Sequence, residues 1–196
     1  MTTAVYAEKA ETSYQRHRWT VAEYHRMAEV GLLNEDSRVE LIDGEIVEMA
    51  PIGSEHGGKA NRFIYLFSKI FGDKAIIAAQ NPVVLGGYGE PQPDVAVLRW
   101  REDYYERAHP HAEDVLLLVE ISDSTLRYDR DVKVPLYASH GIPEVWLLDL
   151  QQKQLEIYHD PAHGQYRQRD CRRAGKIAPI LCPDAVIDLA ELFPNP

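Results

Sequence analysis

The chain has 196 residues, a formal net charge of −10, 45% hydrophobic residues and two cysteines. Its length is that of one domain with a sizeable core, its apolar content is ordinary, and no apolar run approaches the roughly 20 residues that cross a bilayer. The acidic balance weighs against a general nucleic-acid binder, which neutralises phosphates with a basic surface; part of that charge is what a metal site itself brings, and a local basic strip is compatible with an acidic remainder. Cys171 and Cys182 give neither a disulfide framework nor a CxxC zinc motif, so a reducing cytoplasm is the expected compartment. The opening MTTAVYAEKAETSYQ lacks the basic and apolar regions of a secretory signal; residues 1–16 are expected to be a flexible tail and 17–196 a single domain.

In RWTVAEYHRMAEVG, Thr20 is an N-cap candidate with Glu23 three residues on, a capping box, and Gly31 a stop. VELIDGEIVEM reads as a hairpin turning at Asp43-Gly44. From His56 to Phe71 the spacing is helical, with Ala60, Phe63, Ile64, Phe67 and Ile70 on one stripe. AIIAAQNPVVLGG reads as extended chain broken near Pro82, followed by a glycine turn. DVAVLRW and VLLLVEIS are strands, the second apolar enough to be buried on both faces. DRDVKVPLYASHGI predicts a short helix ended by Gly141. EVWLLDL and QLEIYHD predict strands paired across QQKQ; QYRQRDCRRA and APILCPDAVIDL are weaker strand patterns. This order predicts an α/β or α+β architecture with a mixed sheet rather than a regular βαβ repeat.

The chemistry concentrates in Glu40, Asp94, Glu120 and Lys133. If the strand that starts at Asp94 is the antiparallel neighbour of the strand that ends near Glu120, both carboxylates lie at one sheet edge and one face. Two such charges in a half-buried place repel, and a cation removes the cost. Oxygen donors with room for water suit Mg²⁺ or Mn²⁺ rather than zinc. Asp94 after Pro93 also reads as a turn residue, and Glu120 as the first solvated residue past its strand. Lys133 falls about one turn into the next helix, within a first irregular turn before Pro135, where Asp129 or Asp131 is a candidate cap. A lysine there can orient an attacking water or steady a phosphate's charge. Glu40 alternates with Val39 and Leu41, which makes it either a surface residue or a third carboxylate. His56 opens a helix whose amides suit a phosphate, although a lone histidine is more often structural. His109 and His111 read as loop residues, Trp146 and Tyr137 as core, and the basic RQRDCRR as a solvated strand.

The motif series PQPDVAVL, LLLVEISDST and DRDVKVPLYASHGIPEVWLLDL, with RWTVAEYHRM and VELIDGEIVEM upstream, resembles the Uma-two family of restriction-endonuclease-like proteins, common in cyanobacteria, over residues 18–193. That family falls in the PD-(D/E)XK nuclease-like superfamily. The resemblance implies a restriction endonuclease-like mixed β-sheet flanked by helices and Mg²⁺-dependent hydrolysis of phosphodiesters, with DNA as substrate. It implies that Asp94 and Glu120 bind metal together with the backbone carbonyl of Ile121, that Glu40 is an upstream acid, and that Lys133 assists catalysis. The superfamily lysine stands two residues after the second acid, and here that position is Ser122; the resemblance moves the role to Lys133 on the following helix. A homodimer is expected of a nuclease that acts on both strands of a duplex. Two other readings stand beside the nuclease: a non-catalytic binding module on the same fold, and a metal-dependent hydrolase of small phosphorylated substrates.

Overall fold

The computed structural model describes residues 16–34 and 36–193; the predicted N-terminal tail lies almost wholly outside them. Helix α1 (Val21–Glu29) starts at the expected capping box, with the Thr20 side chain accepting from the Glu23 amide and the Glu23 side chain accepting from the Thr20 amide. Gly31, at φ 77°, follows its end. Strands β1 (Val39–Ile42) and β2 (Glu45–Glu48) form the predicted hairpin. Asp43 and Gly44 both have positive φ, 48° and 85°, the requirement of the two-residue turn that matches strand twist. Helix α2 (Ser54–Phe71) begins two residues earlier than the spacing predicts. It buries Ala60, Phe63, Leu66, Phe67 and Phe71, while Ile64 and Ile70 flank the stripe and are only partly covered.

The central sheet has six strands in the order β3-β4-β5-β6-β7-β8. These are β3 (Ala75–Ala79), β4 (Val95–Arg99), β5 (Val115–Ser122), β6 (Glu144–Asp149), β7 (Gln154–Ala162) and β8 (Gln165–Arg172). All neighbours are antiparallel except β5 and β6, and a parallel neighbour needs a crossover. The segment that crosses is DRDVK and its surroundings. The predicted single helix is instead three pieces: α3 (Leu126–Tyr128), a π-helical turn (Asp129–Lys133) and α4 (Val134–Ser139). Pro135 has no N–H to give to the preceding turn and its ring crowds that turn's carbonyls; a wider turn just before it relieves the crowding.

Alternation in the strands splits the core. Val95, Val97, Val119, Ile121, Trp146 and Leu148 face α2, and Ala96, Leu98, Leu118, Val145 and Leu147 face Val134 and Tyr137 of the crossover. At roughly 25 cal/mol per Å² of apolar surface, burial on both sheet faces is the dominant favourable term. The stretch 178–186 is not a strand. Only β9 (Lys176–Ile177) and β10 (Ile187–Asp188) pair there, because Pro179 and Pro183 cannot donate to a ladder; a short α5 (Leu189–Leu192) follows.

Candidate active site

The β4–β5 register pairs Val95 with Val119, so one step further Asp94 stands opposite Glu120 on the same face. The antiparallel arrangement supposed from sequence is the one observed. Asp94 reaches across the strand end: its Oδ2 accepts from the Ile121 amide at 2.8 Å, and its Oδ1 accepts from His56 Nε2 at 2.7 Å. Asp94 is therefore no solvated turn residue, and Glu120 is buried rather than solvated.

Lys133 arrives from above on the π turn. Its Nζ lies 3.0 Å from Glu40 Oε2 and 3.4 Å from Glu120 Oε1. Glu40, Glu120 and Lys133 are all at or below 5% exposed, so Glu40 is not a surface residue. Glu40 is further held by the Gln92 amide, which donates to its Oε2 at 3.1 Å. The Tyr137 hydroxyl donates a hydrogen bond to Glu120 Oε1. Tyr137 is core, as its apolar setting predicts, but its hydroxyl belongs to this site. A signal for this is present in the sequence: Lys133 and Tyr137 are four apart, hence on one helical face. Neither Asp129 nor Asp131 is an N-cap here; Thr125, Tyr128 and Lys133 hold those positions in the three pieces, and Asp129 turns its side chain elsewhere. It accepts from the hydroxyls of Ser122 and Thr125 at 2.6 and 2.7 Å. Ser122, at the position where the superfamily lysine stands, is thus a buried partner of Asp129.

Burial dominates the electrostatics. It pushes the Glu120 carboxyl up to about 8, with Lys133 pulling the other way. Burial also works against the Lys133 charge, yet Glu120 and Glu40 overcome it and hold the amine above the ordinary lysine value. Burial and the Glu120 charge raise the Tyr137 phenol well above its usual value. The hydrogen bond to Asp94 raises His56, against the effect of burial.

Glu40, His56, Asp94, Glu120 and Lys133 line a cleft of about 290 Å³, with Tyr137 behind Glu120. Its carboxylates outnumber its two full cations, Arg38 and Lys133, and Arg38 lies on the exposed rim. Among the described residues no three acidic, histidine or cysteine side chains are already gathered at metal-holding distance. The donor set still fits a hard divalent cation that keeps most of its water. Asp94 and Glu120 are opposed oxygen donors on one face. The Ile121 carbonyl lies on the same strand edge as the amide that meets Asp94, because N–H and C=O of one strand residue point the same way. Remote from the cleft are His111, whose amide donates to the Asp114 side chain, and His109, which lies beside His25. The RQRDCRR segment is the exposed β8, outside the cleft.

A mixed sheet carrying an aspartate and a glutamate opposed across an antiparallel strand pair, with a lysine over them, is a restriction endonuclease-like nuclease fold. The chain belongs to the Uma2 family: the family model, described as "Putative restriction endonuclease", matches residues 21–190. Among solved structures, a crystal structure titled as a putative nuclease belonging to DUF820 from Anabaena variabilis ATCC 29413 is similar, with a TM-score of 0.70 and 17% identity. The match covers 89% of this chain and 97% of that one, and at this identity it speaks to the fold. No curated protein matches the chain. No helix among the described residues is long and apolar enough to cross a membrane.

Proposed function

We propose that this chain is a divalent-metal-dependent endonuclease that hydrolyses phosphodiester bonds of DNA in the cytoplasm, as a homodimer. The observation that carries the reading is the convergence of Asp94, Glu120, Glu40 and Lys133, drawn from separate chain segments, in one cleft. Such a set is costly to bury, and no fold-building role calls for it.

Asp94, Glu120 and the Ile121 carbonyl are the groups to hold Mg²⁺, with Mn²⁺ as an alternative, and Glu40 acts directly or through water. When bound, the ion polarises the scissile phosphate and lowers the pKa of a water. His56 fixes the Asp94 carboxylate through its hydrogen bond and, from the first turn of α2, faces an incoming phosphate. Tyr137 orients Glu120 by donating to one oxygen, leaving the other for ligation. Lys133 keeps its proton at neutral pH and places a fixed positive charge where a water is oriented and where charge grows on the phosphate.

The acidic balance of the whole chain favours a second reading, a binding module that keeps the fold without the chemistry. Supercoiled and single-stranded DNA incubated with Mg²⁺, Mn²⁺ or chelator separates the two. Metal-dependent nicking lost in Asp94→Ala supports the nuclease. No cleavage by wild type, with no metal bound in calorimetry, supports the module. Turnover of a small phosphodiester without DNA cleavage moves the substrate class instead.

A further inference from the structure

Glu156 lies outside the cleft, yet it is completely buried and gathers three donors. Arg130 clasps it with both arms of its guanidinium, Nη2 to Oε1 at 2.6 Å and Nε to Oε2 at 3.2 Å. Arg169 Nη2 lies 3.0 Å from Oε2, and the Tyr158 hydroxyl donates to the same oxygen. Burial works to raise this carboxyl, but the bonds from Arg130 and Tyr158 and the two arginine charges hold it below the ordinary glutamate value. A fully buried carboxylate with this much support calls for a reason beyond a well-packed strand.

The register supplies one. Glu120 pairs with Leu147, and Leu147 pairs with Glu156. Asp94, Glu120, Leu147 and Glu156 therefore form one row across four strands on one face. Glu120 and Glu156 are two strand spacings apart in that row, about 10 Å. The π turn lies over the row and carries a cation to each of the two glutamates: Lys133 to Glu120 and, three residues earlier, Arg130 to Glu156. A third tie, from Asp129 to Ser122 and Thr125, fixes the start of the turn. A wide helical turn has poorer internal hydrogen bonding than an α-helix, so its shape depends on what holds it from outside.

We propose that Glu156 and Arg130 are positioning residues: their clasp sets the π turn on the sheet and thereby sets where the Lys133 amine stands over Glu120 and Glu40. This rests on the nuclease reading only for the purpose of the lysine, not for its placement. Planar, bidentate pairing suits the task because it fixes direction as well as distance. Arg169 meets the same carboxylate from β8 rather than from the turn, so it is the internal control.

The test is protection of the Lys133 amine in the metal-free protein, read as its acetylation rate by acetic anhydride and peptide mass spectrometry, with exposed Lys153 as the reference. Arg130→Gln and Glu156→Gln raise the Lys133 rate relative to Lys153 by about tenfold, within the range that a second contact in a shared network carries. Arg169→Gln leaves it within about twofold, and Arg130→Lys, which keeps the charge but not the fork, falls between. In DNA cleavage the same Arg130→Gln and Glu156→Gln changes lower kcat and leave KM near wild type. An unchanged Lys133 rate in Arg130→Gln, in protein that melts cooperatively, overturns the proposal, as does an equal rise in Arg169→Gln. If Arg130→Gln fails to fold, Arg130→Lys against Arg169→Gln decides on the same readout. Should wild type not cleave DNA at all, the labelling still decides whether the clasp positions the lysine, while the nuclease reading falls separately.

Discussion

Replacing Lys133 by methionine keeps most of the side-chain volume and removes the one charge that lies between Glu40 and Glu120. All three groups are nearly buried at the foot of the cleft, so the two carboxylates are left poorly solvated and without the amine's charge. Removing one partner from a buried ion pair costs about 3–5 kcal/mol. In a chain of this size each kcal/mol moves Tm by roughly 2–4 °C, giving a fall of about 6–20 °C. The pH dependence has a definite sign. Glu120 is raised to about 8 even with Lys133 pulling it down; without the lysine it rises further. A carboxyl raised in the folded state contributes stability below its unfolded value and loses it as pH rises through the folded value. Below about 8 Glu120 is protonated in both folded forms, so it leaves the gap between Lys133→Met and wild type flat from about pH 5 to about pH 7; the gap widens above about pH 8, where only wild type ionises Glu120 beside the lysine, as urea unfolding at a series of pH values reads directly. A variant as stable as wild type at the alkaline end, or a gap that does not grow with pH, refutes the picture of a lysine holding two buried carboxylates.

Tyr137→Phe deletes a hydroxyl that donates to Glu120 in a fully buried place; taking the donor from a buried acceptor costs about 1–3 kcal/mol, and chemical denaturation should show a loss of that size with cleavage slowed. His56 is raised by its bond to Asp94, so its contribution is present below the unfolded histidine value and disappears as pH rises through the folded one; the stability difference between wild type and His56→Ala should shrink across that interval, and an NMR titration of the ring should show the raised midpoint. Thr20→Ala removes the α1 cap bond and should cost about 1 kcal/mol in urea unfolding without altering metal binding or cleavage.

The parts of the fold legible in the sequence are those set locally. The turn at Asp43-Gly44 needs two positive φ values, and an Asp-Gly pair declares it. The strand VLLLVEIS has the observed bounds because its apolar run ends where Ser122 gives way to Asp123. Asp94, Glu120 and Lys133 stand out because charges beside apolar strand ends are unusual, and antiparallel pairing then decides that the two acids meet. What escapes the sequence depends on distant cover. Glu40 is a candidate carboxylate in the sequence, but its alternation reads equally as a surface residue, because the partners that cover it, Lys133 and Gln92, come from far along the chain. Glu156 in QLEIYHD looks equally solvated, since its partners Arg130 and Arg169 come from other segments. Pro135 marks the irregular turn at Lys133 in the sequence, but nothing in the spacing says that this turn is π. The strand expected over 178–189 shrinks to the two residues of β10 because two prolines outweigh an apolar pattern.

Everything proposed for the cleft depends on Asp94 and Glu120 holding a divalent cation together, and titration calorimetry of Mn²⁺ and Mg²⁺ into wild type, Asp94→Asn and Glu120→Gln addresses this without needing a substrate. Wild type is expected to show a binding event that is lost in both variants, and that is tighter in Lys133→Met, where no amine competes for Glu120. Metal affinity that survives in Asp94→Asn and Glu120→Gln alike means that the two acids are not the ligands.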